Sequence, residues 1–489
     1  MSSVSPATKT AAEAPAGPPR RGLLGGSSVV GAGLAVELGS QFARTLILAR
    51  LLGANEFGLV ASINTLYAVV ELISFIGIDR YIVFSPEGGK RHALDVAHTL
   101  CWLRGFISAA MIVALAAPTA ALVGATEYAT GFAVVAVVPL LRGAVHLGVT
   151  QMQRSGRFLP SSAAEAVGSL LGLLASAVAA LVTHDHRAVL WGLSVQASGV
   201  VLLTHLLARG IPYRFSFDRQ SMRDALRFGL PLLLNGLALA AAFQLDRMVV
   251  GAWLGVVMLG IYGLSMALLV QPISLLMRLA NTAFQPRLSA AWHADRSGAF
   301  PLLVGQVGRY GAAVAGAGAA AVACLGAPVL RLAFGASYSA SDPFFLLMAG
   351  VVLMRLGRGA LNLLGLAIGR TPDLMLSNLV GAAALPVTIA VFYIYPGIES
   401  AAFAGLIGEV LSCIVATKLL QRHCGEAARS MLRAFAVAAI MPVALAIGVL
   451  ITDPGLWLRV IAAMVGLAAT AILLLLTRRT SGSDRPAVP

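Results

Sequence analysis

Apolar stretches long enough to cross a bilayer recur along almost the whole chain, and no other feature restricts the fold as much. A spanning helix needs about 20 mostly apolar residues. Fourteen stretches qualify, at roughly 27–50, 57–79, 94–120, 128–150, 162–183, 188–208, 228–252, 257–284, 304–330, 343–367, 374–395, 400–418, 431–451 and 456–477. Charged residues make up 11% of the chain, against about 25% in a soluble domain. So little charge cannot cover a water-facing surface. The expected fold is therefore an all-α integral membrane protein with about 14 transmembrane helices. Intrinsic disorder is excluded for all but the ends.

The net charge is +14 and the sequence pI is near 10.4. In a soluble chain that balance would suggest a nucleic-acid partner. The placement of the charges argues otherwise. With the N-terminus inside, 24 of the 35 basic residues fall on the cytoplasmic side, and only Arg50, Arg187, Arg331 and Arg459 on the other. That asymmetry follows the positive-inside rule, so both termini are expected in the cytoplasm. The partner of the charge is then anionic inner-leaflet lipid, with no nucleic acid. Residues 1–22 and 480–489 are expected to be cytoplasmic tails. Arg20-Arg21 mimics a twin-arginine signal. The apolar run behind it carries Glu37 and is expected to be a span, not a cleaved leader.

The chain repeats itself at an offset of 202 residues. Leu51-Leu52-Gly53 followed by Phe57-Gly58 falls on Trp253-Leu254-Gly255 followed by Leu259-Gly260, and Arg44 falls on Asp246. The repeat holds six spans, an even number that keeps orientation, so its halves should be related by an axis along the membrane normal. This predicts two pseudo-symmetric six-helix lobes, 23–208 and 228–420, around a central cavity. A basic linker, 209–227, joins them, and two C-terminal helices, 421–479, are appended. Ser221-x-x-Asp224 reads as a capping box opening the second lobe. Two lobes with a shared cleft suit alternating access.

Several chemistries have no sequence support. There is no G-x-x-x-x-G-K-[ST], so no P-loop ATPase. His184-Asp185-His186 lacks the further ligands of a zinc site. Cys101, Cys324, Cys413 and Cys424 form no C-x-x-C pair and read as reduced packing residues. Neither a metal nor an organic cofactor is expected.

Ionisable residues inside spans are costly and face a cavity or a partner. Here they form helical stripes: Glu37, Gln41 and Arg44; Asn64, Tyr67 and Glu71; Arg142 and His146; Asn235 and Asp246; Arg355, Arg358 and Asn362. Arg104, Arg278 and Glu409 add to these. Any one of them has a structural explanation: Arg44 and Arg278 can snorkel, Glu37 can pair with Arg44 or Arg104, and Glu409 can offset the two span-10 arginines. Stripes on five helices in both lobes point instead to a shared, hydrated cavity of mixed charge. Seven arginines outnumber the acids Glu37, Glu71, Glu165, Asp246 and Glu409. Guanidinium forks suit phosphate and pyrophosphate, so the cavity is expected to take an anionic head group. Arg44, Arg104, Arg142, Arg278, Arg355, Arg358 and Asn362 are its candidate substrate-binding residues. Glu37, Glu71, Asp246 and Glu409 are candidates for holding H⁺ or Na⁺, since a carboxylate in low dielectric can exchange either.

The run Leu48-Ala49-Arg50-Leu51-Leu52-Gly53-Ala54-Asn55-Glu56-Phe57-Gly58-Leu59-Val60 resembles the first-loop motif of bacterial polysaccharide and O-antigen flippases of the Wzx type. Gln244-Leu245-Asp246-Arg247, then Gly251, Leu254-Gly255 and Gly260-Ile261-Tyr262, resembles their motif of spans 7 and 8. Phe284-x-Pro286 also fits. The resemblance covers most of the chain. It implies translocation of an undecaprenyl-pyrophosphate-linked oligosaccharide across the bacterial inner membrane, for export of an exopolysaccharide, capsule or O-antigen. It also implies a basic central cavity, with Arg247 a substrate-binding candidate in the matching motif, and coupling to an H⁺ or Na⁺ gradient. Its implied partners are the lipid-linked substrate, the bilayer, a polysaccharide polymerase and chain-length or export proteins. Competing readings are a multidrug or organic-cation antiporter, whose cavity should be acidic or aromatic, a lipid II flippase, and a polymerase or ligase, which would need a sizeable outer loop. No enzyme activity is expected.

Overall fold

The computed structural model describes residues 22–480 apart from 297, 383, 453 and 454. Some side chains within helices, among them Asn235 and Arg278, lie outside the described residues. The expected tails, 1–22 and 480–489, fall there almost entirely. Among the described residues the chain is helical with no strand, as hydrocarbon requires, because a helix satisfies its own backbone groups within one segment. Ten described helices are long and apolar enough to cross a bilayer. The chain is a multi-pass membrane protein.

The first half holds α1 (Gly22–Ile73), α2 (Ile78–Phe84), α3 (Arg91–Leu122), α4 (Ala129–Val134), α5 (Val137–Gly143), α6 (Gly148–Gln153), α7 (Leu159–Thr183) and α8 (Arg187–Leu207). The second holds α9 (Arg219–Phe243), α10 (Leu245–Ala294), α11 (Ala299–Phe334), α12 (Asp342–Ala367), α13 (Thr371–Gly381), α14 (Ala384–Ile394) and α15 (Ile398–Cys424). Last come α16 (Glu426–Thr452) and α17 (Leu456–Thr480). α1 packs against α7 in its own half and against α10 in the other. α11 lies against α12 on one side and α16 and α17 on the other.

The sequence repeat has a backbone counterpart. α1 bends at Gly53, with φ 75 and ψ 173, and α10 bends at Gly255, with φ 79 and ψ 179. The two bends are 202 residues apart and nearly identical. A positive φ costs a residue with a Cβ about 1–2 kcal/mol, so glycine is what lets one span turn directly into the next. At these bends, spans expected as separate helices run together.

Elsewhere an expected span is interrupted. The stretch 128–150 breaks into α4, α5 and α6 around Pro139, Gly143 and Gly148. The freed amides at this break find side-chain acceptors, as buried backbone donors must. Leu147 N–H donates to His98 Nε2 at 3.0 Å and Gly148 N–H to His146 Nδ1 at 2.9 Å. His146 is therefore buried in a structural contact, next to Arg142 in sequence spacing but not in role. The stretch 374–395 is covered by α13 and α14 and counts as one candidate span, with residue 383 between them outside the described residues. The expected capping box also shifts by one turn. Asp218, not Ser221, caps α9, its carboxylate accepting from Ser221 N–H at 2.8 Å. That bond holds the Asp218 carboxyl below its usual range.

The linker between the halves is docked on α3. Arg214 N–H donates to Asp95 Oδ1 at 2.8 Å, Ser216 N–H to Thr99 Oγ1 at 2.9 Å, and the Tyr213 ring stacks on His98 at 3.6 Å. At the far end of the chain, Arg459 of α17 forks onto Asp342 at the start of α12, with both bonds 2.7 Å. Arg459 is only 8% exposed.

The bends give a direct test. Gly53→Ala and Gly255→Ala should each destabilise the detergent-purified protein by roughly 1–2 kcal/mol, read as a lower melting temperature. Gly31→Ala, where nothing lies within 4 Å of the new methyl, should be neutral or stabilising by up to about 1 kcal/mol. Equal melting temperatures for all three would show that the bends do not need glycine.

Candidate functional site

Two adjoining cavities share a wall of α10: the first lies between the halves, where α1 faces α10, and the second lies within the second half. The first, about 400 Å³, is lined by Gln41, Arg44, Asn64, Tyr67 and Arg142 from the first half and by Arg247 and Met266 of α10. The second, about 460 Å³, is lined by Gln244, Asp246, Arg247 and Asn281 of the α9–α10 region and by Arg355, Arg358 and Asn362 of α12. Arg247 and Met266 line both. Each of the five predicted stripes thus contributes at least one residue to these cavities, and α10 borders both.

The arginines divide by partner. Arg104 pairs with Glu71 and donates from Nε to Ser74 O at 3.0 Å. Arg142 pairs with Glu165 at 3.2 Å. These two pairs face a further cavity of about 390 Å³ inside the first half. Arg355 and Arg358 converge on one carboxylate, each Nε 2.7 Å from an oxygen of Glu409. Arg358 also donates to Asn378 Oδ1 at 2.7 Å. Glu409 is 5% exposed and Arg358 8%. Three groups thus carry one net positive charge, and the Arg355 edge of the network borders the second cavity.

Arg44 and Arg247 are different. Arg44 donates to the neutral Gln196 Oε1 at 2.9 Å and has no ion pair among the described residues. Arg247 has none either, and its Nε is buried without an acceptor. Gln244 Oε1, Asn281 Oδ1 and Asn362 Oδ1, around the second cavity, are also buried and unpartnered. Asp246 accepts the Tyr262 hydroxyl at 2.7 Å and its neighbour's backbone N–H at 2.8 Å. It is the one candidate carboxylate at the cavities held by neutral donors. Glu37 receives Gln41 Nε2 at 3.3 Å and lines neither cavity. The arrangement can bind a multivalent anion through Arg44, Arg247 and Arg355, beside amides that match hydroxyl groups.

A family model described as "Polysaccharide biosynthesis protein" matches residues 47–343. The chain belongs to that family. Among curated relatives, the amylovoran biosynthesis protein AmsL of Erwinia amylovora is 25% identical over 209 residues, covering 41% of this chain and 52% of that protein. The succinoglycan biosynthesis transport protein ExoT of Rhizobium meliloti (strain 1021) is 26% identical over 231 residues, covering 46% and 45%. The chain spans about half the length of these curated relatives. The fold is also that of a lipid II flippase, MurJ, in an inward closed conformation, at a TM-score of 0.70 and 12% identity, covering 94% of this chain and 99% of that one. An inward-facing multidrug resistance MATE family transporter of the MOP superfamily gives 0.56 at 15% identity, covering 83% and 94%.

In this polysaccharide biosynthesis protein the structure gathers most of the predicted residues, but with unequal freedom. Arg44, Arg142, Arg247, Arg355, Arg358 and Asn362 reach the two cavities. Arg104 and Glu71 lie off to one side, paired. Arg278 has its side chain outside the described residues. Sequence reasoning missed Gln196, Asn281 and Tyr262 as site residues. Gln196 and Tyr262 have no polar residue at i+4 or i+7 to mark a face, and Asn281 with Gln285 was not read as a stripe.

The Glu409 network predicts a contrast in stability. Removing one member of a buried ionic group leaves an uncompensated charge, a cost of about 3–5 kcal/mol. Glu409→Gln should therefore lower the melting temperature sharply. Glu165→Gln, in a pair about one-third exposed on each side, should cost under about 1 kcal/mol. Similar losses for both would mean that Glu409 is not the anchor of the two arginines.

Proposed function

We propose that the chain is a flippase. It carries an undecaprenyl-pyrophosphate-linked oligosaccharide from the inner to the outer leaflet of a bacterial inner membrane for polysaccharide export. On this reading fourteen spans form two six-helix lobes and two appended helices, with both termini in the cytoplasm, and the lobes alternate access to the cavities between them. The transported unit is handed on to a polymerase and to chain-length or export proteins.

The observation that carries the reading is the arginine surplus around the two adjoining cavities. Arg44 rests on a neutral amide, Arg247 has no ion pair, and Arg355 and Arg358 share Glu409. A pyrophosphate supplies the missing negative charge and accepts from guanidinium forks. The names of the curated relatives, in polysaccharide biosynthesis and transport, support the substrate class. A cavity for organic cations would need the opposite surplus. Asp246 is the carboxylate best placed to hold H⁺ or Na⁺, because the hydrogen bonds it accepts come from the Tyr262 hydroxyl and a backbone N–H.

Arg44→Ala and Arg247→Ala should leave the protein in the membrane at normal level and cut glycan export about tenfold or more, since each loses charge-assisted bonds. Lipid-linked oligosaccharide should accumulate on the inner leaflet. Lys at either position should be partly tolerated, because charge survives while the fork is lost. Normal export by an Arg247→Glu protein would sink the reading. Asp246→Asn should make transport into proteoliposomes indifferent to imposed pH and Na⁺ gradients. If the substituted protein still responds to either gradient, coupling lies elsewhere.

A further inference from the structure

The repeated motif holds an arginine that faces neither cavity. Arg50 sits just before the Gly53 bend of α1, yet its side chain belongs to the other half of the molecule. Its Nε donates to Ala333 O at 2.6 Å and its Nη2 to Leu332 O. Those are carbonyls of the last turn of α11, which ends at Phe334. Last-turn carbonyls have no donor within their own helix, and they carry the negative end of the helix dipole, where a cation is favoured.

The arrangement is reciprocal. Tyr338, just beyond α11, donates its hydroxyl to Ala49 O at 2.9 Å. Ala49 lies in the last turn before the Gly53 bend, so here too a carbonyl near the end of a straight helical segment receives a side chain from the other half. Tyr338 is 1% exposed and meets the Phe57 ring edge-on at 6.1 Å and 89°.

Directly beside this layer the two halves touch through backbone. Gly58 and Gly260, equivalent positions of the 202-residue repeat, face each other. A Cβ on Gly58 would lie 2.2 Å from Val256 O, and one on Gly260 would lie 3.0 Å from the Gly58 Cα. One turn further along α1 the first cavity begins, lined by Phe57 and Ala61. The layer therefore closes one end of that cavity.

We propose that Arg50 and Tyr338 form a latch between the two halves that holds the outer mouth of the cavity shut, each half capping a helix end of the other. The latch binds no substrate. It stabilises one conformation over another, and its bonds exist only while the mouth is closed, so they bias the equilibrium by their full worth. The proposal goes beyond the transport reading and rests on it only for assigning this end to the outside.

The test reads closure directly. Ala61→Cys places a thiol just behind the latch. Intact cells are treated with a membrane-impermeant maleimide added outside, with the labelling of the parent chain subtracted. With the latch intact, labelling should be slow. Arg50→Ala should speed it about tenfold or more, having lost two bonds from a charged donor, and Tyr338→Phe should speed it a few-fold. Gly58→Val should act as a wedge and also speed labelling. If Arg50→Ala fails to reach the membrane, the milder Tyr338→Phe decides alone. Unchanged labelling in latch variants present at normal level overturns the proposal, and faster labelling only from the cytoplasmic side of inverted vesicles overturns the outer assignment. No substrate enters the measurement. A transport-dead Arg247→Ala protein should give the same rates, so failure of the latch and failure of the flippase reading separate cleanly.

Discussion

A charge inside a bilayer must meet a counter-charge, a dipole or water, and this requirement arranges the interior of the molecule. Where the chain can pair an arginine within one half it does so, as with Arg104 on Glu71 and Arg142 on Glu165. Where two arginines fall one turn apart on α12, a single glutamate from α15 is drawn between them. Such a network adds little net stability over an apolar equivalent, but it ties α12 to α15, and α12 in turn presents Arg355 and Asn362 to the second cavity. The arginines left over, Arg44 and Arg247, line the cavity between the halves. The charge that cannot be neutralised locally is collected at the shared surface, which is what gives the interior a polarity.

The gross fold was legible in the sequence because hydrocarbon leaves a chain so few options. Long apolar runs with sparse charge have to be helices, and the runs 162–183, 188–208 and 343–367 match α7, α8 and α12 closely. The offset of 202 residues was legible too, and it reappears as two bends of nearly equal φ and ψ. Interruptions were not legible. Nothing in the hydropathy of 128–150 says that the segment breaks twice, because the amides freed at the second break are satisfied by His98 and His146, and such compensation depends on which helices become neighbours. Arg44, Arg142 and Arg355, read as stripe members, do line the cavities, since a helical period reports a face directly. They could not separate paired arginines from unpaired ones. Pairing is set by contacts such as that of Arg358 with Glu409, 51 residues apart, which no local pattern records.

The comparisons bear on different levels. The match over 47–343 fixes the family. The similarity to a lipid II flippase and to multidrug transporters at 12–15% identity fixes only the fold. One scaffold hosting different cargoes is expected when function lives in the site and not in the fold. The discriminating feature is then the sign of the charge left over between the halves, and here it is positive.

The forked pair of Arg459 with Asp342 has a mechanical consequence. It joins α17 to the first residue of α12, while α11 packs against α16, α17 and α12 alike. The appended helices are thereby fastened to the second half and not to the first. Any rocking of one half against the other must carry α17 along as part of a single rigid piece. A spectroscopic label on α17, remote from every residue that could touch a substrate, would therefore move with the second half and report its tilt without disturbing the interior.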